Sequence, residues 1–512
     1  MGEQGLDDLK DVVDGSQDVA ETLLRASLPP EYPRDLTQRI EEALRASSNE
    51  MLVYLEDDST GVQKSHDVYL LTDYAETGIR SGIRAARGAG HRLVFILTNS
   101  RALSTGQAEA VNRNIALILA RIAKEEELVF RIGSRSDSTL RGHFPLEPLV
   151  LMEALEPAMG QYDGVIVSHV FLTEMSRITV NRIHLLRIKE VDGSFGYRPV
   201  HLTRFAEDRR FGYPTSDMAE YVEYKFAASG LGEIKASDVL HIGINTIRRG
   251  GPEAVMQRLM RATKGRIITV DVVTHRDLQV FVLGLLMAES RGKRFIYRSA
   301  ASLPPARVNM TDIPVLGKTG ILGSRRLTGN ILCLWGSIVE LSNIQLETAL
   351  HRISALTAVS FDVRQVLESE EARDAEVNHA LEKTEVALRR GKHAVVYTVP
   401  RTEYPPGRLS DEARAANQQR IAAALQAVYN RIQIRPAAVV FKGGITASTG
   451  LFSSGAQRVY VLGQIAPGTP IVKILPQDNE RFPGEELLMI LGPGNVGVPE
   501  TYVEIIGKLT AK

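Results

Sequence analysis

An apolar run, residues 51–55, leads straight into Glu56-Asp57-Asp58-Ser59-Thr60-Gly61. The run reads as a buried strand. Three carboxylates at the end of a buried strand are costly unless they meet cations, hydroxyls or a metal. In open α/β sheets the C-terminal strand ends are where ligands bind. The segment is therefore a candidate site for a polar ligand. The plainer reading is an acidic turn that caps the next helix.

A second polar cluster follows the strand-like residues 128–132. It spells Arg131-Ile-Gly-Ser-Arg-Ser136-Asp137-Ser138-Thr139-Leu-Arg141-Gly142-His143. Asp137, Ser138, Thr139 and Arg141 combine an acceptor, two hydroxyls and a planar fork of donors. That set suits a polyol carrying a carboxylate, which Arg can pair bidentately. Asn99-Ser100-Arg101 follows another apolar run, residues 92–98. Each cluster alone could be a capping box; three at successive strand ends favour one shared cleft. His66, His143, His169 and His184 lack metal-ligand spacing, so a dedicated zinc site is not expected.

The second half carries three glycine-rich turns, each after an apolar run. They are Gly336-Ser337, Lys442-Gly443-Gly444-Ile445-Thr446 and Gly492-Pro493-Gly494-Asn495-Val496-Gly497. Glycine at a strand exit lets backbone N–H groups approach a phosphate, and a following helix start adds a favourable field. One such turn means little; three point to phosphate binding. Gly492–Gly497 also matches the G-x-G-x-x-G fingerprint, but too little chain follows for the βαβ unit it requires. Gly317-Lys318-Thr319 looks like the end of a P-loop, yet Asp312 occupies the position of the required earlier glycine.

The elements that must position these residues alternate between strand and helix. Strand patterns at residues 164–168, 239–244, 267–273 and 294–297 continue the first half, and a helical period covers 107–124. Alternation restarts at 330–334, 395–397, 437–441 and 487–491, with a helical stretch at 339–350. Such a pattern predicts an α/β protein of two domains, each a mostly parallel sheet flanked by helices, with a cleft between them. Residues 179–224 are irregular, charged and aromatic, and read as a long loop or a small excursion carrying substrate contacts. The expected divisions are an N-terminal helical arm at 1–48, a substrate domain at 49–305, a linker at 306–329 and a nucleotide domain at 330–512. The chain of 512 residues balances 61 Lys+Arg against 61 Asp+Glu, so no basic field draws it to nucleic acid or membrane. Its one cysteine, Cys333, lies in an apolar run and is expected to be a buried structural thiol. Neither a signal peptide nor an apolar run of membrane-spanning length is evident, so a cytoplasmic protein is expected.

Taken in order, Glu56 to Gly61, Asp137 to Gly142, Gly336-Ser337, Lys442 to Thr446 and Pro493 to Gly497 resemble the four-carbon acid sugar kinase family. Phe205-Ala-Glu-Asp208, Phe211-Gly-Tyr213, Asp217 and Tyr297-Arg298-Ser-Ala-Ala-Ser302 fit the same pattern. Three motifs depart from it. Glu56 and Ser59 replace Asp and Pro, Ser176-Arg177-Ile178-Thr179 replaces Gly-Arg-Ile/Tyr-Thr, and Tyr397-Thr-Val-Pro-Arg401 replaces Tyr-Thr-Ser-Arg.

The resemblance implies a substrate domain followed by a nucleotide domain, with ATP phosphorylating a terminal hydroxyl of a threonate-, erythronate- or 3-oxo-tetronate-type acid. Asp57 and Asp58 would be catalytic, orienting hydroxyls and accepting the proton. Thr60, Ser100, Arg101, Asp137, Ser138, Arg141 and Arg177 would bind substrate, the last two arginines through its carboxylate. Ser337, Gly443, Gly444, Ile445, Thr446, Gly494, Asn495 and Gly497 would bind the nucleotide. Mg²⁺ would accompany ATP with few protein ligands of its own, no dedicated metal site is expected, and a homodimer is allowed. The rival readings are a non-catalytic sugar-acid or nucleotide sensor and a nucleotide-independent sugar-acid aldolase or dehydratase. The second leaves the glycine turns unexplained.

Overall fold

The computed structural model describes residues 12–173, 176–190, 192–407 and 409–510. Residues 1–11 of the expected N-terminal arm, and Met175 beside the departed Ser176 motif, lie outside them. The chain forms two compact units. Of the described residues, one unit comprises those within 12–57, 92–94 and 103–311, and the other those within 58–91, 95–102 and 312–510. The chain first passes from one to the other at the Asp57–Asp58 bond and crosses again after residues 91, 94, 102 and 311.

In the first unit the strands run Leu240–Ile242, Arg266–Val270, Gly164–Ser168, Phe295–Ser299, Val129–Arg135 and Glu50–Glu56, all parallel. Their central residues are buried on both faces, as parallel strands covered by helices require. The register sets Glu56 beside Arg135, Arg135 beside Ser299, and Ser299 beside Ser168. The apolar runs therefore end together, and their polar ends gather at one edge. Helices Glu21–Ser27 and Thr37–Arg45 belong to this unit, and Leu24, Leu36, Ile40 and Leu44 are buried in it. The stretch expected to be a long loop or a small excursion forms strands and a helix. Arg177–Val180, Ile183–Lys189 and Phe195–Pro199 form a small antiparallel sheet, completed by Val19–Ala20. Helix Met218–Ser229 follows, capped by the Asp217 side chain on the N–H groups of Ala219 and Glu220.

In the second unit the order is Val68–Leu71, Arg458–Ala466, Thr469–Ile474, Leu487–Gly492, Ala438–Lys442, Ile331–Trp335, His393–Val399 and Leu356–Asp362. The first three pairings are antiparallel and the last four parallel. Gly492 is level with Lys442, and Lys442 with Trp335. That register brings the three glycine turns to one height. Trp335 packs on Tyr502 at 4.7 Å between centroids, inside a core that also buries Cys333. No helix among the described residues is long and apolar enough to cross a membrane.

Candidate functional site

The second unit holds a cavity of about 300 Å³ whose floor is the three glycine turns. Gly336, Ser337, Gly443, Gly444, Ile445, Thr446 and Gly494 all line it. Its far wall is apolar, with Val363, Ile421, Ala422 and Leu425, and carries Asn417, Gln418 and Arg414 from helix Asp411–Arg431. Gly443 stands at φ +116°, where side chains are strained, and a β-carbon there would lie 3.2 Å from that of Ser337. It precedes helix Gly444–Phe452, whose first N–H groups have no intrahelical acceptor. A β-carbon on Gly494 would lie 3.0 Å from the Ser337 hydroxyl. The turns thus pack closely because side chains are missing, and the open backbone suits an anion. Asn495 is exposed, and Gly497, at φ +95°, leads into helix Thr501–Thr510.

Two cations brace this floor. Arg401 donates to the carbonyl of Ser337 and, at 2.6 and 3.0 Å, to Asn343 Oδ1; burial lowers its guanidinium to about 10. Lys442, completely buried, donates to the carbonyls of Pro493 and Gly494. The apolar run before Lys442 marks a strand, but nothing in its pattern distinguishes a buried lysine from an exposed one.

Asp58 belongs to the same unit. Its carboxylate accepts the Thr60 N–H at 2.8 Å, the Thr60 hydroxyl at 2.9 Å and Arg101 at 3.1 Å. A β-carbon built on Gly444 would lie 3.5 Å from Asp58 Oδ2. The acid therefore stands over the first residue of the helix that leaves the glycine floor. Neighbouring Ser59 is tied to that helix, its hydroxyl accepting from Ser448 at 3.0 Å. Ser100 is buried and its N–H bonds Thr98 Oγ1. Asp58, Thr60, Ser100 and Arg101 thus share a unit with the glycine turns.

Asp57, Asp137, Ser138, Arg141 and Arg177 lie in the first unit. There, Arg135 is the cation that the acidic strand end requires. It pairs with Glu56 at 2.8 Å and Asp57 at 3.4 Å, all three side chains buried. Asp137 accepts Arg141 Nε at 2.6 Å and the Thr139 hydroxyl. Arg141 stacks over Phe205 at 5.0 Å and comes within 3.9 Å of Asp208. Arg177 lies over Phe171, and burial lowers its affinity for its proton.

The loop between Asp137 and Arg141 is held carbonyl by carbonyl. Asp137 O accepts from His169, Ser138 O from His184, Thr139 O from Tyr213, Leu140 O from Tyr221 and Arg141 O from Ser136. Leu140 adopts φ +66°, a conformation that this clamp enforces. His169 and His184 are buried and neutral, because burial drives the first well below the usual histidine range and the second to about 4. Neither histidine was assigned from sequence, where both read only as isolated residues. Among the described residues no group of three or more His, Cys, Asp or Glu side chains could hold a metal ion.

Two α/β units, one with a glycine-floored anion cradle and one with an acid-and-arginine loop, define a nucleotide- and sugar-binding class of protein. A sugar-binding N-terminal domain model matches residues 52–307 and a nucleotide-binding C-terminal domain model matches residues 332–502. The chain belongs to the four-carbon acid sugar kinase family that this domain pair defines. Among solved structures it is similar to Haemophilus influenzae HI1011, of the DUF1537 family, at 16% identity, TM-score 0.57, covering 90% of this chain and 100% of that one. It is also similar to a Salmonella typhimurium LT2 protein described as a "putative tRNA synthase", at 16% identity, TM-score 0.60, covering 89% and 98%. Likeness at that identity shows the fold alone. No curated protein matches the sequence at a significant level.

Proposed function

We propose that this protein is an ATP-dependent kinase that phosphorylates a terminal hydroxyl of a short, four-carbon-type sugar acid in the cytoplasm. The observation that carries this reading is the position of Asp58, over the first residue of the helix that leaves the glycine floor. A carboxylate beside an anion cradle has a purpose in phosphoryl transfer: it orients an acceptor hydroxyl toward the phosphate and takes its proton. Thr60 and Arg101 fix its orientation. Gly443, Gly444, Ile445, Thr446, Gly494 and Ser337 would bind the phosphates, with Asn495 and Gly497 shaping the third turn. The apolar wall around Ile421 and Leu425 suits a nucleobase. Bound Mg²⁺ would neutralise phosphate charge. In the sugar-binding domain, Arg141 and Arg177 would take the substrate carboxylate, while Asp137 and Ser138 take hydroxyls. Asp57, paired with Arg135, would help orient the substrate.

The test is ATP consumption over a panel of four- and five-carbon sugar acids. Turnover on one of them that depends on both ATP and Asp58 supports the kinase. ATP binding without turnover on any acid would indicate a sensor, and conversion without ATP an aldolase or dehydratase.

A further inference from the structure

Lys442 joins all three glycine turns. Its carbonyl oxygen accepts the N–H groups of Gly336 and Ser337, each at 3.1 Å. Its chain runs directly into Gly443-Gly444. Its amine donates to Pro493 O and, at 3.1 Å, to Gly494 O. It also lies over two aromatic rings, that of Tyr502 at 5.0 Å and that of Trp335 at 6.0 Å. Among the described residues no carboxylate forms an ion pair with it, and burial alone shifts its titration. Tyr502, from helix Thr501–Thr510, is the titratable side chain facing it, and burial holds that phenol far above its usual range, hence neutral. The neighbouring strand Ile331–Trp335 adds Trp335 and carries the buried thiol of Cys333, which burial raises to about 12 and so keeps protonated. Burial, with nothing to offset it, brings the lysine down to about 7. An amine able to carry a charge, with no carboxylate beside it among the described residues, thus sits behind a floor suited to anions.

We propose that Lys442 is a positioning residue that also supplies the buried counter-charge of the nucleotide site, taking up a proton from solvent when nucleotide phosphates enter. The proposal rests on the nucleotide-binding reading of this cavity. Either form of the amine can donate to two carbonyls, so the third turn stays tied in both. What changes is the charge. Phosphates in a water-poor site favour the ammonium form. Linkage makes the effect reciprocal: nucleotide raises proton affinity, and protons raise nucleotide affinity. Affinity should therefore fall as pH rises above 7, by up to about tenfold per pH unit for one coupled proton.

The experiment is calorimetric titration of MgADP into the full-length protein at pH 7.5, in Tris and in HEPES, whose ionisation heats differ. A group half-charged near pH 7 is about one-quarter charged at pH 7.5, so uptake of about half a proton or more per nucleotide is expected. Lys442→Met, similar in length but without charge, should bind about tenfold more weakly and without that uptake. Lys442→Arg keeps a permanent charge and should also bind without uptake. A merely structural lysine would leave the proton count unchanged. Buffer-independent heat in the wild type overturns the proposal, and so does undiminished uptake in either variant. If Lys442→Met does not fold, the wild-type count and Lys442→Arg decide. Absence of any binding heat in the wild type removes the nucleotide reading as well, which separates the two failures.

Discussion

Replacing Asp58 with Asn isolates the charge of the acid from its shape. The amide oxygen can still accept from the Thr60 N–H and hydroxyl, now at 2.8 and 2.9 Å. What is lost is the ion pair to Arg101 at 3.1 Å, whose side chains are each about one-fifth exposed. A partly exposed pair of this kind contributes about 1 kcal/mol, so the protein should fold with a slightly lower melting temperature. The effect on nucleotide runs the other way. If a bound phosphate oxygen comes within about 5 Å of this carboxylate, the repulsion would be about 1–3 kcal/mol at intermediate dielectric. Removing it should leave ATP binding unweakened, and tighten it by about fivefold if 1 kcal/mol of repulsion is relieved. Turnover should collapse by about 10²–10⁴-fold, the usual cost of losing a positioned base. Coupled ATP-consumption kinetics, ATP calorimetry and a melting curve on the same preparation read all three. Turnover within about threefold of wild type would refute the catalytic role. ATP binding more than about tenfold weaker in a folded variant would make Asp58 a brace of the cradle instead.

Three further outcomes are expected. Gly443→Ala forces a side chain into φ +116° and against Ser337, costing about 1–2 kcal/mol of local strain, and should weaken ATP affinity about tenfold while sugar-acid binding stays unchanged by calorimetry. Arg141→Lys keeps the charge but loses the planar fork and its bond to Asp137; the sugar-acid KM should rise by about tenfold, or about 1.4 kcal/mol, with the ATP KM unmoved in steady-state kinetics. His184 is neutral in the fold with a value near 4, whereas the unfolded chain binds its proton near 6.5. Protonation therefore favours unfolding, and this residue's share of stability, about 3 kcal/mol, should be fully present above pH 6.5 and lost as pH falls toward 4. Denaturant titrations of wild type and His184→Gln across that range should show a shallower pH slope in the variant.

Much of the fold is legible because buried parallel strands read as uninterrupted apolar runs. Residues 165–167, 331–335 and 438–441 are of this kind. The hairpin Arg458–Ala466 with Thr469–Ile474 is less visible, since alternate residues of its first strand are only partly buried. The small sheet around Ile183–Lys189 is short, charged and aromatic, so its pattern mimics a loop. The glycine turns were readable because only missing side chains permit their close packing. Arg135, Lys442, His169 and His184 were not readable as site residues. Each is polar within a strand or turn, and only tertiary placement decides whether such a residue faces water or a buried carbonyl.

The clamped loop from Asp137 to Arg141 has a consequence for how this family could change its diet. Five consecutive carbonyls are already occupied, so the main chain has no slack with which to reshape itself around a new molecule. A ligand meeting such a loop loses little affinity to ordering it. The same rigidity makes the loop a fixed frame with interchangeable fittings. On the proposed reading, in which 137, 138 and 141 meet the sugar acid, altered preference would come from swapping those side chains while the histidines and tyrosines behind them stay put.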